Sequence, residues 1–494
     1  MIEGVPASGR GSLLIAGTWR PPSTGRFVAV TDPSTGVSVG EAPVASVDDA
    51  RAAVDAAVDA EERWGSVPGH ARARILRAAA DRLRADRETM ARLIACEVGK
   101  PITDARVEVD RAVEVYGLAA EEIRHLGGES FPADAYERPA GNEHRFLFTV
   151  RDPVGVVVAI GPFNFPLNLL SHKIAPALAA GNPVVAKPTS AAPFTAMRLA
   201  EHLVSAGVPA GALNLVVGPG ATVGNALVEH PGARLVTFTG STDVGKGIAE
   251  RAGRHAKRVI LEMGGLDPFV VLDDAPLDIA VPAAVRGAFS YAGQVCTASK
   301  RFLVQESVAE EFGRRLAERA AALRVGPALD ESTEVGPVID AAAVDRLERM
   351  VVDATDRSAK LLTGGRRARP GAGSFFAPTV LDAVPEGARV VREEPFGPIA
   401  PIVRFADADE AVRIANGTPY GLQATVYTRE IARGFSLAKR IRAGGVHLND
   451  PTTLRWDALP FGGVRESGLG REGLRWAMQE MTELKLISVN YAGG

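Results

Sequence analysis

Residues 154–187 read VGVVVAIGPFNFPLNLLSHKIAPALAAGNPVVAK, and their order decides the fold. Two short β-branched runs, VGVVVAI and NPVVAKP, are bounded by Gly and Pro and enclose a segment of helical length. Runs that are apolar at every position suit strands covered by helices on both faces. The pattern continues outward through LNLVVG (213–218), RLVTFTG (234–240) and RVILEMGG (258–265), again with helical lengths between them. This alternation predicts an α/β fold built on a parallel, doubly wound sheet. In such sheets ligands bind at the carboxyl ends of the strands.

A second alternation begins near Pro268 and predicts a second α/β domain. Its strands are PFVVLDD, KRFLVQE, PIAPIVRF and LQATVYT, and its helices include SVAEEFGRRLAERAAAL and DADEAVRIANG. On the amino-terminal side, Ser46 with Asp49 three residues later forms a capping-box start to an alanine-rich helix. Residues 71–97 then read as one further helix, stopped by Gly99 and Pro101. HRFLFTVRD (144–152) and ELKLISVN (483–490) alternate like half-exposed strands outside both series. They are expected to form a protruding sheet used for self-association, because sheet edges are rarely left bare.

Composition narrows the partners. The chain has 494 residues, 46% hydrophobic and 23% charged, with 56 basic against 59 acidic side chains. That length suits two or three domains, and the near-neutral balance gives no reason to expect nucleic acid or an anionic membrane. A small molecule is the expected partner. Two cysteines and eight scattered histidines supply neither a disulfide framework nor metal-ligand spacing. No metal is expected, and free thiols suit the cytoplasm. Residues 1–18 lack the pattern of a secretory signal, and the apolar segments are too short or too broken by Pro and Gly to span a bilayer.

Candidate chemistry sits at strand ends. GPGATVG (218–224) and FTGSTDVGKG (238–247) each follow a strand and are either phosphate-binding loops or plain βα turns; the first has its last glycine one residue late for a dinucleotide fingerprint. Lys187, also at a strand end, is either a ribose or phosphate ligand or an ordinary surface lysine. Cys96 falls in the last turn of a helix and reads as a packed apolar residue. Cys296, in YAGQVCTASKR (291–301), differs: Gly293 allows close backbone packing, and the Cys296 amide can face a developing oxyanion. Glu262, before two glycines at a strand end, suits a general base whose pKa burial would raise. The pair suggests covalent thiol chemistry with a carboxylate base. The Lys300–Arg301 pair reads as the start of the next strand.

Six segments together carry a more specific signal: PFNFPLNLLSHKIAPALAAGNPVVAKP, FTGSTDVG, LEMGG, GQVCTASKR, EEPFGP and PFGGVRESGLGREG. In order and spacing they resemble the NAD(P)-dependent aldehyde dehydrogenase superfamily. The resemblance implies a Rossmann-type cofactor domain (1–129 and 153–264), an α/β catalytic domain (265–464) and oligomerisation strands (130–152 and 480–494), with 465–479 a helical return. It implies that Cys296 attacks the aldehyde carbon, that Asn164 and the Cys296 amide hold the oxyanion, and that Glu262 activates the water that hydrolyses the thioester. Lys173 matches a lysine near the oxyanion donor whose role is structural or catalytic. For the cofactor, NAD or NADP, it points to Lys187 at the adenosine ribose and to Gly240 and Ser241 under the pyrophosphate. Glu394 and Phe396 match the pair at the nicotinamide riboside, and Ile160, Pro162, Phe163, Ser190, Gly220 and Val244 complete the cofactor set.

Departures bear on specificity. Ser190 stands where strongly NAD-preferring members have Glu, so NADP is permitted. Phe163 replaces a common tryptophan and Leu266 a common lysine, neither of them at the reacting atoms. Members that transfer the acyl group to coenzyme A generally lack the glutamate, so Glu262 favours hydrolysis; a coenzyme A acceptor, or a silent member kept as a binding protein, are the alternatives. The implied substrate is a small polar aldehyde, with His172, Arg455 and Val295 the candidate substrate contacts. Arg455 serves either an anionic substrate group or a salt bridge to a carboxylate such as Asp457. The features around them are similar to lactaldehyde, glyceraldehyde-3-phosphate and semialdehyde dehydrogenases. A homodimer or homotetramer is implied.

Overall fold

The computed structural model describes residues 3–369, 371 and 373–491. Five strands, Val156–Ile160, Val184–Lys187, Leu213–Leu215, Ala233–Thr239 and Arg258–Glu262, form the parallel middle of an eight-stranded sheet. Across the sheet they stand fifth, fourth, first, second, third. The chain therefore builds outward on one side of Val156–Ile160 and then returns to build on the other. That reversal opens a crevice between the carboxyl ends of Val156–Ile160 and Ala233–Thr239, where doubly wound sheets receive ligands. Antiparallel strands close both edges: Gly468–Leu469 beside Arg258–Glu262, and Leu13–Ile15 beside Leu213–Leu215.

A seven-stranded sheet carries the second alternation. Its strands run in the order Lys360–Thr363, Thr379–Asp382, Ile399–Phe405, Ser299–Gln305, Asp267–Val271, Gln423–Tyr427 and Gly445–Leu448, parallel except for the first pair. Each sheet has its own core. In the second, Phe269 stacks on Tyr427 at 4.6 Å between ring centroids and also meets Phe302 and Phe312. Thr482–Asn490 pairs antiparallel with Arg145–Pro153 along its whole length, and Ser130–Phe131 adds a third strand. Residues 492–494 of the expected carboxyl-terminal strand lie outside the described residues.

The helices begin and end where local chemistry directs. Helix α1 (Val47–Gly65) starts on the expected capping box: Ser46 Oγ accepts from Asp49 N–H and Asp49 Oδ2 from Ser46 N–H, each at 2.9 Å. The expected single helix over 71–97 is two, α2 (Gly69–Ala85) and α3 (Arg87–Val98), broken at Asp86. A remote contact holds Asp86 at the break. Asp86 Oδ2 accepts from Arg198 Nε at 2.7 Å and lies 2.8 Å from His202 Nε2, both on α6 (Pro193–Ser205). Helix α3 stops at Gly99, which is left-handed at φ 70°, and α4 (Ile102–Glu122) follows Pro101. Helix α5 (Asn168–Ala180) is buried along its entire length between the first sheet and α4. Cys96 is packed in the core as expected, and burial pushes its thiol up to about 12.

Candidate active site

Cys296 stands in the turn between a short helical turn, Ser290–Gly293, and the strand Ser299–Gln305. The approach is strained: Tyr291 and Ala292 have φ of 46° and 52°, which costs a non-glycine residue roughly 1–2 kcal/mol each. Remote contacts hold it there. Tyr291 Oη donates to Val98 O at 2.7 Å, and Gln294 Oε1 accepts Ile339 N–H at 2.8 Å. A Cβ on Gly293 would lie 2.3 Å from Gly397 O, so glycine alone lets the EEPFGP loop press against the cysteine turn. Asn164 Nδ2 donates to Gln294 O at 3.0 Å, which fixes the amide against the cysteine turn and leaves its second hydrogen for another acceptor.

Glu262 ends its strand 1% exposed, and neither carboxylate oxygen has a partner with hydrogen-bond geometry. The Cys296 thiol nevertheless faces it closely enough for each to shift the other. Burial, aided by the charge of Glu472, raises Glu262 to about 7. Burial and Glu262 push the Cys296 thiol well above its ordinary range, against the opposing charge of Lys300. The resting thiol is thus protonated, and the adjacent carboxylate is poised to exchange a proton near neutrality.

Lys300 does more than begin a strand. Its Nζ turns back to donate to Cys296 O and lies 3.0 Å from Glu394 Oε1. Glu394 in turn occupies the space over Gly264, where a Cβ would lie 2.4 Å from Oε2.

A buried ion cluster surrounds this center. Lys173 Nζ donates to Glu472 Oε1 at 2.6 Å and Thr239 Oγ1 at 2.7 Å, while Arg455 Nη2 reaches Glu472 Oε2 at 3.1 Å. Burial alone would raise Glu472, but the charges of Lys173 and Arg455 outweigh it and hold the group at about 2. Arg111 grips Asp457 with two bonds, at 2.9 and 2.6 Å, and His172 Nε2 lies 2.8 Å from Asp457 Oδ1. Asp457 is held well below the ordinary carboxylate range although burial opposes this, and burial with the Arg455 charge shifts the His172 imidazole downward, toward its neutral form. Arg455 therefore does form the salt bridges weighed for it, to Glu472 and, at 3.6 Å, to Asp457. Removing one partner of a buried pair strands the other charge. Asp457→Ala is expected to destabilise the protein by about 3 kcal/mol, read as a lower denaturation midpoint.

At the crevice, Lys187 closes its strand 7% exposed, with Nζ reaching Pro188 O at 3.5 Å. No carboxylate pairs with it among the described residues, and burial lowers it to about 8. A buried ammonium without an anion suits hydroxyl or phosphate oxygens. Gly220 opens a single wide helical turn, Gly220–Gly224, whose Gly224 packs near the Lys187 stem. Gly240 follows directly after the strand Ala233–Thr239, Ser241 is the cap residue of the helix Thr242–Arg254 with no side-chain capping bond among the described residues, and Val244 is exposed in its first turn. Ile160, Pro162 and Phe163 follow at the adjacent strand end. The Phe163 ring meets Phe396 edge-on, 5.7 Å between centroids. Ser190 is half-buried beyond Lys187, and Val295 is buried beside the thiol.

A sequence profile described as the aldehyde dehydrogenase family matches residues 19–487. The chain belongs to that family. It is 38% identical over 480 residues to the NADP(+) succinate-semialdehyde dehydrogenase of Escherichia coli K12, covering 97% of this chain and 98% of the relative. It is 40% identical over 452 residues to the lactaldehyde dehydrogenase of Methanocaldococcus jannaschii, covering 91% and 94%. The crystal structure of NADP-dependent glyceraldehyde-3-phosphate dehydrogenase from Bacillus halodurans C-125 complexed with NADP matches with a TM-score of 0.94 at 38% identity, covering 98% of this chain and 100% of that one.

Within this aldehyde dehydrogenase the structure brings Cys296, Glu262, Asn164, Lys173, His172 and Arg455 into one region. The sequence pointed to no role for Arg111, Thr239, Lys300 or Glu472. Glu472 had a signal, since it lies in the quoted PFGGVRESGLGREG segment. Arg111 had none: it is one of many charges on a helix.

Proposed function

We infer that the enzyme oxidises a small polar aldehyde to its carboxylic acid with NAD(P)+ by way of a thioester on Cys296. The observation that carries this is the meeting of the Cys296 thiol, the buried Glu262 carboxylate and the Asn164 amide at one strand-end crevice. The thiol proton passes to Glu262, and sulfur attacks the aldehyde carbon. The resulting oxyanion accepts from the second Asn164 Nδ2 hydrogen and the Cys296 N–H. NAD(P)+, when bound, supplies the acceptor for the hydride that leaves this carbon. Glu262 then gives up the thiol proton to solvent, and the ionised carboxylate takes a proton from the water that attacks the remaining thioester; the carbon–sulfur bond breaks, the acid leaves, and Glu262 returns its proton to the sulfur.

Lys187, Gly220, Gly240, Ser241 and Val244 would hold the adenosine and pyrophosphate end, and Ile160, Pro162, Phe163, Glu394 and Phe396 the nicotinamide end. Residues 1–129 with 153–264 are assigned to the cofactor domain and 265–464 to the catalytic domain. Water is favoured over coenzyme A as acyl acceptor because Glu262 is present and poised near 7. Ser190 leaves room for NADP. Ser190→Glu is expected to lower kcat/KM for NADP+ by roughly tenfold or more, through repulsion of the 2′-phosphate, with little change for NAD+. Steady-state kinetics with each cofactor checks it.

The long pair Arg145–Pro153 and Thr482–Asn490 supports self-association into a dimer or tetramer, since Leu484, Leu486 and Phe146 stand exposed on it. No helix among the described residues is long and apolar enough to cross a membrane. The two free cysteines suit a cytoplasmic location.

A further inference from the structure

Asn168 Nδ2 and Oδ1, on α5, and His172 Nδ1 and Arg455 Nε, in the ion cluster, are buried with no hydrogen-bond partner among the described residues. Asn168 is 1% exposed and His172 2%, depths at which side-chain polar atoms are normally satisfied. The two residues lie four apart in α5 and so share one face of it. Asn164, whose amide sits beside the thiol turn, lies four residues before Asn168, and helical bonding begins between them with Leu169 N–H to Phe165 O. The row thus runs from Asn168 at the start of α5 to His172, and through His172 to Asp457. An ionised carboxylate only accepts, so His172 Nε2 carries the hydrogen of the Asp457 contact and Nδ1 is left as a bare acceptor. Asn168 adds both a donor and an acceptor one turn away.

The charges nearby are already matched. Arg111, Lys173 and Arg455 face Asp457, Glu472 and, once ionised, Glu262. A phosphate, sulfonate or carboxylate on the substrate would add a fourth negative charge against three positive. A neutral hydroxyl adds none and can both donate and accept.

We propose that Asn168 and His172 read a hydroxyl on the first or second carbon beyond the aldehyde, which donates to His172 Nδ1 and accepts from Asn168 Nδ2. The assignment rests on the aldehyde-oxidising function given above and names its substrate class, short hydroxyaldehydes. The test compares kcat/KM for lactaldehyde and propanal, which differ by one hydroxyl. The wild-type enzyme is expected to favour lactaldehyde by at least about tenfold. Asn168→Leu, of similar volume, is expected to bring that ratio close to one, chiefly by loss on lactaldehyde, with propanal changing less than about threefold. An unchanged ratio, or an equal loss on both aldehydes as a structural role would give, overturns the proposal. So does a wild-type preference for succinic semialdehyde, which is anionic and lacks the hydroxyl. A second measurement needs no variant: lactate should inhibit the wild-type enzyme at about a tenfold lower concentration than propanoate, and equal inhibition would contradict the assignment. Failure of the parent function looks different, since the wild-type enzyme would then oxidise none of these aldehydes.

Discussion

Cys296→Ala is expected to abolish aldehyde-dependent NAD(P)H formation, lowering the rate by a factor on the order of 10⁴ or more. In the proposed mechanism every covalent step passes through this sulfur, and no other thiol can replace it: Cys96 is buried in the first core with its thiol pushed up to about 12. The alanine variant should still bind the dinucleotide, because Lys187, Ser241 and Phe396, the residues proposed to hold it, are untouched. Initial rates followed by NAD(P)H absorbance, with cofactor binding measured by fluorescence, separate loss of chemistry from loss of fold.

Glu262→Gln has the second-largest expected effect, and of a different kind. The variant should release about one NAD(P)H per active site and then stall, its steady rate down by roughly 10²–10⁴. Glutamine keeps the shape but cannot take a proton from water, so the thioester persists. The burst itself slows, because the thiol also loses its proton acceptor. The pH profile gives a further check. Glu262 acts as a base only when ionised, and burial raises it to about 7. Wild-type turnover should therefore rise with pH through about 7, and the residual turnover of the glutamine variant should not show that step.

The sequence made the parts that depend on local chemistry legible. The parallel strands announce themselves as β-branched runs between Gly and Pro, and the Ser46–Asp49 box and Gly99 mark helix ends by capping rules. The break at Asp86 was hidden, and the partners that hold Asp86 there, Arg198 and His202 on α6, lie 112 and 116 residues away. The ion cluster was hidden as well. Arg111 and Asp457 are 346 residues apart, and Arg111 alone reads as an ordinary surface charge. Lys300 misled in another way: its strand position was correct, but its long side chain folds back onto the carbonyl of Cys296. Arg455 was read with its salt-bridge alternative open, and the structure gives it two carboxylates rather than one.

The central claim is that an acyl group rests on Cys296 and leaves by way of Glu262. Glu262→Gln enzyme mixed with aldehyde and NAD(P)+, quenched in acid and digested, tests it most directly by mass spectrometry of the peptide carrying Cys296. The account predicts that this peptide gains the mass of the acyl group, in about one-to-one proportion with NAD(P)H released, and that the Cys96 peptide does not. An unmodified Cys296 peptide after a full burst of NAD(P)H would contradict it.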